Sequence, residues 1–501
     1  MVAGAPISGW LHDHARERAA GPAVGDGDAS WSWVDLDEMA HTVAERGRDA
    51  HDPLALVATP SVAAVAVIHA ALRSPTQIVM LNPRSAPAEL VQLVETSGAR
   101  RVAIDSALVG QLGIRLAVPV FPVEDLVARG PSLQFDRSET LDPVDAKPRS
   151  EFLVPTSGTS GRPRLATLTA ANLASSAIAW SQVLPPASGW LLSLGLAHVA
   201  GIAIVVRAAL AGVPLVLPIG SDPSSILETI RRGAARGLEV SHLSLVASQL
   251  APLLDHLDDG PPPPSIRAVL LGGGPVPSSL VTRALEAGWP VMPTYGMTET
   301  ASGVTAMPTR DVAAAPWSAG RALPGVELRV CEPGDGSSTA LPLDHPGELH
   351  VRGPMVFAGY AGDPGATAAA IDQDGWLRTG DLGRIDEHGR VEIIDRIDDL
   401  IVSGGENVAP AEIEAVLLTH PGVADAGVVG MADTRWGRVP AAVVVARPGA
   451  SIDPDEIRAY VAERLASFKV PARVVVATGL PRTRGGKLLR RELPPVIEVV
   501  P

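Results

Sequence analysis

With 501 residues, 46% of them hydrophobic, the chain is long enough for more than one domain, at about 150 residues each, and for a large buried core. A formal net charge of -14 without a basic block argues against a nucleic-acid partner. A single cysteine, Cys331, excludes an internal disulfide framework and a cysteine zinc site and fits a reducing cytoplasm.

The first residues carry no basic-then-apolar leader, and no apolar run reaches about 18 residues unbroken, so neither a signal peptide nor a membrane span is expected. The longest run, 191–217, is interrupted by His198, Arg207 and three glycines. A helix-like start is followed by Trp31-Ser32-Trp33 and an amphipathic segment over 35–48. Strand-like 54–58, helix-like 62–72, strand-like 78–81, helix-like 86–97 and strand-like 101–104 then alternate, the signature of βαβ units around a mostly parallel sheet. His12 and His14 could be a metal pair, but no carboxylate- or Cys-rich stretch supports them, and they read as surface histidines. Residues 106–150 are less regular.

Phe152–Pro155 is β-prone and leads into Thr156-Ser157-Gly158-Thr159-Ser160-Gly161-Arg162-Pro163-Arg164. Small residues leave backbone N–H groups uncovered, hydroxyls add donors, and arginines add charge, so such a loop can wrap a polyphosphate. It is not a Walker loop, since no Gly-Lys-Ser/Thr closes it, and by itself it could equally be a solvated Gly/Ser turn. A helix is expected over 165–173, capped by Thr169. Strands near 190–194, 213–217, 240–245 and 268–271 then alternate with helices over 198–211, 224–232, 247–254 and 278–287. The strand at 268–271 ends in Gly272-Gly273-Gly274-Pro275, and 290–293 leads to Thr294-Tyr295-Gly296-Met297-Thr298-Glu299-Thr300. From about 315 short alternating strands (327–331, 347–352, 389–394) between Gly/Asp/Pro turns suggest a β subdomain. Beyond Asp395, helices at 411–418 and 454–466 and strands near 423–429, 441–446 and 473–476 make a compact α+β unit, with a hinge near Arg396-Ile397-Asp398.

Taken in order, Thr156–Arg164, Gly272–Pro275, Tyr295–Glu299, Thr379-Gly380-Asp381, Arg396–Asn407 and Pro481–Lys487 resemble the acyl-adenylate-forming enzymes, which include acyl-CoA ligases, firefly-type luciferases and peptide-synthetase adenylation domains. Each signature is weak or moderate alone; the ordered set spans nearly the whole chain. The resemblance implies an α/β fold: a large ATP- and acid-binding domain (1–397) of parallel-type sheets plus the β subdomain, and a small mobile α+β domain (398–501). It implies ATP, Mg²⁺ and CoA as cofactors and substrates. Thr156, Ser157, Gly158, Thr159, Ser160, Gly161 and Arg164 would hold the β- and γ-phosphates, and Thr298 the α-phosphate. Glu299 would hold Mg²⁺, which favours a carboxylate plus phosphate oxygens. Gly272, Gly273, Gly274, Pro275 and Tyr295 would line the adenine slot, with Tyr295 as a stacking face, and Thr294, Gly296 and Met297 would also contact the nucleotide. Asp381, helped by Arg396, would accept both ribose hydroxyls. Lys487 would bring its ammonium to the carboxylate and the α-phosphate, while neighbouring Arg482, Arg484, Arg490 and Arg491 read as solvated. Asp398 matches the hinge about which the small domain rotates, exchanging the lysine loop for Ser403-Gly404-Gly405-Glu406, where glycines let a pantetheine arm pass. Where the family usually has Lys-Gly, this chain has Arg164-Leu165, which keeps the charge, changes its geometry and removes a flexible position.

The stretches His198–Gly201, 242–249 and 294–302 look most like the o-succinylbenzoate–CoA ligase branch of menaquinone biosynthesis, although Gly303 stands where a glutamine commonly follows the serine equivalent to Ser302. The acid therefore stays open among o-succinylbenzoate and other aromatic or aliphatic carboxylates. His198 either lines the acyl pocket or its gate, or is a buried structural histidine. The acceptor is CoA or a carrier-protein phosphopantetheine; with the chain stopping at Pro501, no fused carrier is expected. A non-catalytic nucleotide-binding protein is disfavoured by Glu299, Asp381, Arg396 and Lys487 occurring together. A cytoplasmic location is expected, and a homodimer is left open.

Overall fold

Two seven-stranded sheets face a shared layer of helices in the computed structural model, which describes residues 7–26, 28–47, 52–106, 108, 118–128, 151–156, 164–334, 339–403, 406–482 and 488–499. One sheet runs Val291–Pro293, Ala268–Leu271, His242–Leu245, Trp190–Leu191, Leu215–Val216, Pro22–Gly25, Ser30–Ser32, with every pair parallel except the last. The other runs Gly359–Tyr360, Arg164–Thr169, Glu151–Thr156, Gln77–Leu81, Leu54–Val57, Arg101–Ile104, Val120–Pro122. It is parallel from Glu151–Thr156 onward and antiparallel at its first two pairs.

The shared layer explains an odd composition. Helix Val62–Arg73 is apolar on every side, and Ala63 through Leu72 are all buried. A helix without a polar face has to lie inside, and its alanines let both sheets approach closely. Ile68 joins Leu56 and Phe152 of one sheet, Trp190 of the other and Ile204 of helix Val199–Ala211 in a single core. Burying each such aliphatic side chain contributes about 1.5–3 kcal/mol. The Ser61 hydroxyl accepts the Ala64 N–H at 3.2 Å and starts the helix.

Three expectations are corrected. The segment expected to open a helix at 165 is instead strand Arg164–Thr169, because its Leu-Ala-Thr-Leu-Thr pattern pairs residue for residue with Glu151–Thr156. The helix begins one residue after the cap: in Ala170–Ser181 the Thr169 hydroxyl accepts the Asn172 backbone N–H at 3.1 Å, and the Asn172 side-chain Oδ1 accepts the Thr169 N–H at 2.9 Å. His14 is not a surface residue; it is 3% exposed and its Nε2 lies 2.8 Å from the Ala209 carbonyl, so it ties the first helix to Val199–Ala211. Arg490 is not solvated either, as described below. Among the described residues no helix is long and apolar enough to cross a membrane.

A four-stranded antiparallel sheet follows, ordered Glu327–Cys331, Gly347–Arg352, Leu377–Ile385, Val391–Arg396. Residues beyond 400 build a separate five-stranded sheet, with Arg473–Ala477 joining Gly437–Ala446 in parallel and helices Pro410–Leu417 and Pro454–Ala462 covering its core. Between the two sheets lies the short turn Ile397–Asp399, which contains Asp398. Arg490 is anchored beside it. Its guanidinium hydrogen-bonds both oxygens of Glu414 and donates to the Val428 carbonyl at 3.1 Å and to Asp399 at 3.3 Å. These acidic neighbours raise its pKa against the cost of burial. Arg482 and Arg491 are exposed, Arg482 also pairing with Asp425 at 2.6 Å, and Arg484 lies outside the described residues.

Candidate functional site

Loops leaving the C-terminal ends of parallel strands are where open α/β sheets hold ligands. Here Gly272–Pro275 leaves Ala268–Leu271 and 294–300 leaves Val291–Pro293, on adjacent strands. The glycines differ in their reasons. A Cβ on Gly272 would lie 2.6 Å from the Thr294 carbonyl oxygen, so this glycine lets the two loops touch. Gly273 takes φ +79°, and a Cβ on Gly274 would meet nothing within 4 Å. Only the last leaves an open face for a flat ligand.

Tyr295 was expected to offer its ring; its hydroxyl is also committed. It donates to Asp381 Oδ2 at 2.5 Å, while Arg396 donates to Asp381 Oδ1 at 2.7 Å and to the Thr379 carbonyl at 2.8 Å. Asp381 and Arg396 face each other across paired strands, which is why the motifs meet although 15 residues separate them. Burial and the adjacent carboxylate push the Tyr295 phenol well above its usual pKa. Burial opposes the charge on Arg396, but Asp381 holds its pKa up.

Glu299 sits in the turn Thr298–Thr300, 6% exposed, and accepts the Tyr360 hydroxyl at 2.8 Å. Burial raises its pKa above the ordinary glutamate range. Tyr360 belongs to the strand paired with Arg164–Thr169, and the Arg164 guanidinium lies 5.4 Å from its ring centre and 3.8 Å from Asp363. Thus the residue closing the Gly/Ser loop, an aromatic ring and the buried carboxylate form one wall. The flanking strands Glu151–Thr156 and Arg164–Thr169 pair antiparallel, with Thr156 opposite Arg164; the loop lies between them in sequence. Its residues Ser157, Gly158, Thr159, Ser160 and Gly161 lie outside the described residues, as do Gly404, Gly405 and Lys487. Ser403 is 6% exposed and paired with Glu406 and Gly437. A magnesium ion fits a single buried carboxylate completed by phosphate oxygens; among the described residues no group of three or more His, Cys, Asp or Glu side chains gathers elsewhere to hold a metal.

The residue that motif reading passed over is Arg207. It interrupts the apolar helix Val199–Ala211, is 5% exposed, and has no carboxylate within ion-pair distance among the described residues. Its guanidinium lies 4.8 Å from the Trp180 ring centre and donates to the Ser302 hydroxyl at 3.1 Å; its Nε has no partner there. Burial drags its pKa down to about 9. Ser302 is presented by strained backbone, with φ +49° at Ala301 and +94° at Ser302. Gly303 also has a reason: a Cβ there would lie 2.7 Å from Trp180, whose indole N–H donates to the Gly303 carbonyl at 3.2 Å. Trp180 occupies the volume that a glutamine at 303 would need. His198, at the start of the same helix, is exposed and therefore not a buried structural histidine; desolvation lowers its pKa.

The profile of the family described as AMP-binding enzyme matches residues 11–361, and that of the AMP-binding enzyme C-terminal domain matches residues 412–487. A 2-succinylbenzoate–CoA ligase of Geobacillus kaustophilus is 38% identical over 493 residues, covering 97% of this chain and 96% of the relative. Among solved structures, o-succinylbenzoate CoA synthetase of Bacillus subtilis in complex with its acyl-adenylate superposes with TM-score 0.83 at 32% identity, covering 97% of each chain. A double mutant of that enzyme bound to a product analogue gives 0.67 at 31% identity, covering 97% of this chain and 98% of the other.

Proposed function

Because this chain belongs to the AMP-binding enzyme family, we propose that it activates o-succinylbenzoate as an acyl-adenylate and passes the acyl group to CoA. One observation carries the choice of acid: Arg207 is a buried cation without a carboxylate partner among the described residues, and it donates to the hydroxyl of the strained Ser302. Burying an unpaired charge costs several kcal/mol, so an arginine is tolerable there if the ligand brings the counter-charge. o-Succinylbenzoate has two carboxylates. The ring carboxylate pairs with Arg207, and the succinyl carboxylate is left to react.

In the first step an oxygen of the succinyl carboxylate attacks the α-phosphorus of ATP, the bond to the β-phosphate oxygen breaks, and pyrophosphate leaves. The carboxylate is already ionised at pH 7, so no general base is needed, and the protein's task is alignment and charge. Thr156 to Arg164 grip the β- and γ-phosphates, Thr298 meets the α-phosphate, Asp381 and Arg396 hold the ribose, and Glu299 would hold Mg²⁺, which would neutralise phosphate charge. Lys487 offsets the repulsion between the two anions. The small domain then turns about Asp398, and Ser403, Gly404 and Gly405 admit the pantetheine arm. The thiol sulfur attacks the acyl carbonyl carbon, the bond to AMP breaks, and the thiol proton passes to solvent. His198 borders the acyl end.

The test is pyrophosphate release by the full chain with ATP, Mg²⁺ and a panel of acids, followed by mass identification of the product with CoA or with a phosphopantetheinylated carrier. Release with o-succinylbenzoate and a CoA thioester are expected. Release only with other acids removes the assignment of the acid, and acyl transfer only to the carrier removes that of CoA.

Glu299→Gln keeps an oxygen for the Tyr360 hydroxyl but no charge. It is expected to raise the Mg²⁺ concentration for half-maximal pyrophosphate release by about tenfold or more, the loss associated with a charged ligand. The raised pKa of Glu299 adds a pH signature. A carboxylate with a raised folded-state pKa takes up a proton earlier as pH falls, so the wild-type Mg²⁺ requirement should climb toward acid pH while that of the variant stays flat. Equal pH dependence in both would remove the metal from Glu299.

A further inference from the structure

The loop that carries Asp381 is a bulge, and its closure depends on a carboxylate in the opposite strand. In Gly347–Arg352 against Leu377–Ile385, Glu348 pairs with Leu382 and His350 with Arg378, so residues 379–381 all stand opposite Leu349. Such an excess bends a strand and re-aims its side chains, and it leaves ladder amides unpaired. The amides of Gly380 and Asp381 are taken up locally. The Thr379 hydroxyl donates to the Leu349 carbonyl at 2.6 Å and accepts the Asp381 N–H at 3.0 Å, and Glu348 Oε1 accepts the Gly380 N–H at 3.0 Å. Gly380 has φ +67°, and a Cβ on it would lie 2.9 Å from the Arg396 guanidinium, so the turn cannot relax by substitution.

Glu348 is itself held. Arg329, paired with Asp372 at 3.1 Å, points Nη2 at His350 Nδ1 at 3.4 Å. A guanidinium only donates, so Nδ1 accepts and the ring proton sits on Nε2. That Nε2 lies 3.4 Å from Glu348 Oε2, an electrostatic contact more than a hydrogen bond. Burial would raise the pKa of Glu348, yet His350 and the Gly380 amide keep it below the ordinary glutamate range.

We propose that Glu348 is a positioning residue for the nucleotide: by closing the bulge at Gly380 it fixes the Asp381 carboxylate between Tyr295 and Arg396, where both oxygens address the ribose hydroxyls. This rests on the reading of Asp381 as the ribose acceptor. A structural role alone would lower stability; positioning in addition sets the discrimination between ribose and deoxyribose.

Calorimetric titration of the full chain with AMP and with 3′-deoxy-AMP tests it, needing no acid. Wild type is expected to bind AMP about tenfold or more tightly than the deoxy analogue. Glu348→Ala is expected to weaken AMP by about tenfold while leaving 3′-deoxy-AMP nearly unchanged, as loss of an ordered charged acceptor implies. Glu348→Gln, which retains an oxygen for Gly380 but not the charge facing His350, should fall between. If Glu348→Ala fails to fold, the Glu348→Gln ratio decides. Full wild-type discrimination in the variants, or equal weakening of both nucleotides, overturns the proposal. Failure of the functional reading looks different: ribose discrimination persists, but o-succinylbenzoate releases no pyrophosphate.

Discussion

Lys487→Ala is expected to slow acid-dependent pyrophosphate exchange by about 10³-fold and to leave thioester formation from supplied acyl-adenylate within a few-fold. The asymmetry follows from when charge is concentrated. In the first half-reaction a carboxylate approaches a polyphosphate, and a cation about 4 Å from both, in surroundings of effective dielectric about 20, contributes about 4 kcal/mol. That is about a thousandfold in rate. In the second half-reaction the nucleophile is a thiol and AMP leaves, so the lysine has no such pair of anions to reconcile. Lys487→Arg keeps the charge but spreads it over a planar fork, and recovery of only part of the rate is expected. Exchange by Lys487→Ala at the wild-type rate would remove the residue from the reaction. So would equal losses in the two half-reactions, which would mean that the substitution disturbs the small domain as a whole.

The parts of this site legible in the sequence are those written as local backbone chemistry. Gly272–Pro275, Thr294–Glu299 and Thr379–Asp381 each lie in a loop whose turn residues announce it, and the order of strand and helix around them follows from apolar periodicity. What the sequence did not disclose is mostly pairing. The strand over Arg164–Thr169 was read as helix because its partner, Glu151–Thr156, decides it. His14 looked like a surface residue because an amphipathic helix does not say which other helix covers its inner face. Arg490 looked solvated in a basic tail because Glu414 and Asp399, its partners, lie 76 and 91 residues away in the chain. The same limit hid Tyr360 and Glu348, whose roles come from what faces them across a strand. Arg207 was visible as the only charge in an apolar helix but was counted merely as an interruption of a hydrophobic run. A lone arginine among alanines and valines signals a buried cation, and the useful question is which anion answers it.

Arg207→Met turns that question into a measurement with two opposite signs. The substitution removes a cation whose pKa burial has pulled down to about 9 and replaces it with an apolar chain of similar length. Even so lowered, the guanidinium is charged at pH 7, and it has no carboxylate partner among the described residues to offset the loss of solvation. The variant is therefore expected to be more stable than wild type in the absence of ligand, with a higher thermal midpoint, the reverse of what a buried structural arginine would give. Activity should move the other way. Breaking a buried carboxylate–guanidinium pair costs about 3–5 kcal/mol, so kcat/KM for o-succinylbenzoate is expected to fall by about 10²–10³-fold. The comparison substrate is 4-oxo-4-phenylbutanoate, which lacks only the ring carboxylate. For wild type it should be a poor substrate, since it leaves the cation buried and unanswered; for Arg207→Met its kcat/KM should equal or exceed that for o-succinylbenzoate. A variant that is destabilised, or that loses both substrates in equal proportion, would make Arg207 a packing element of the helix and would return the identity of the acid to the remaining aromatic and aliphatic carboxylates.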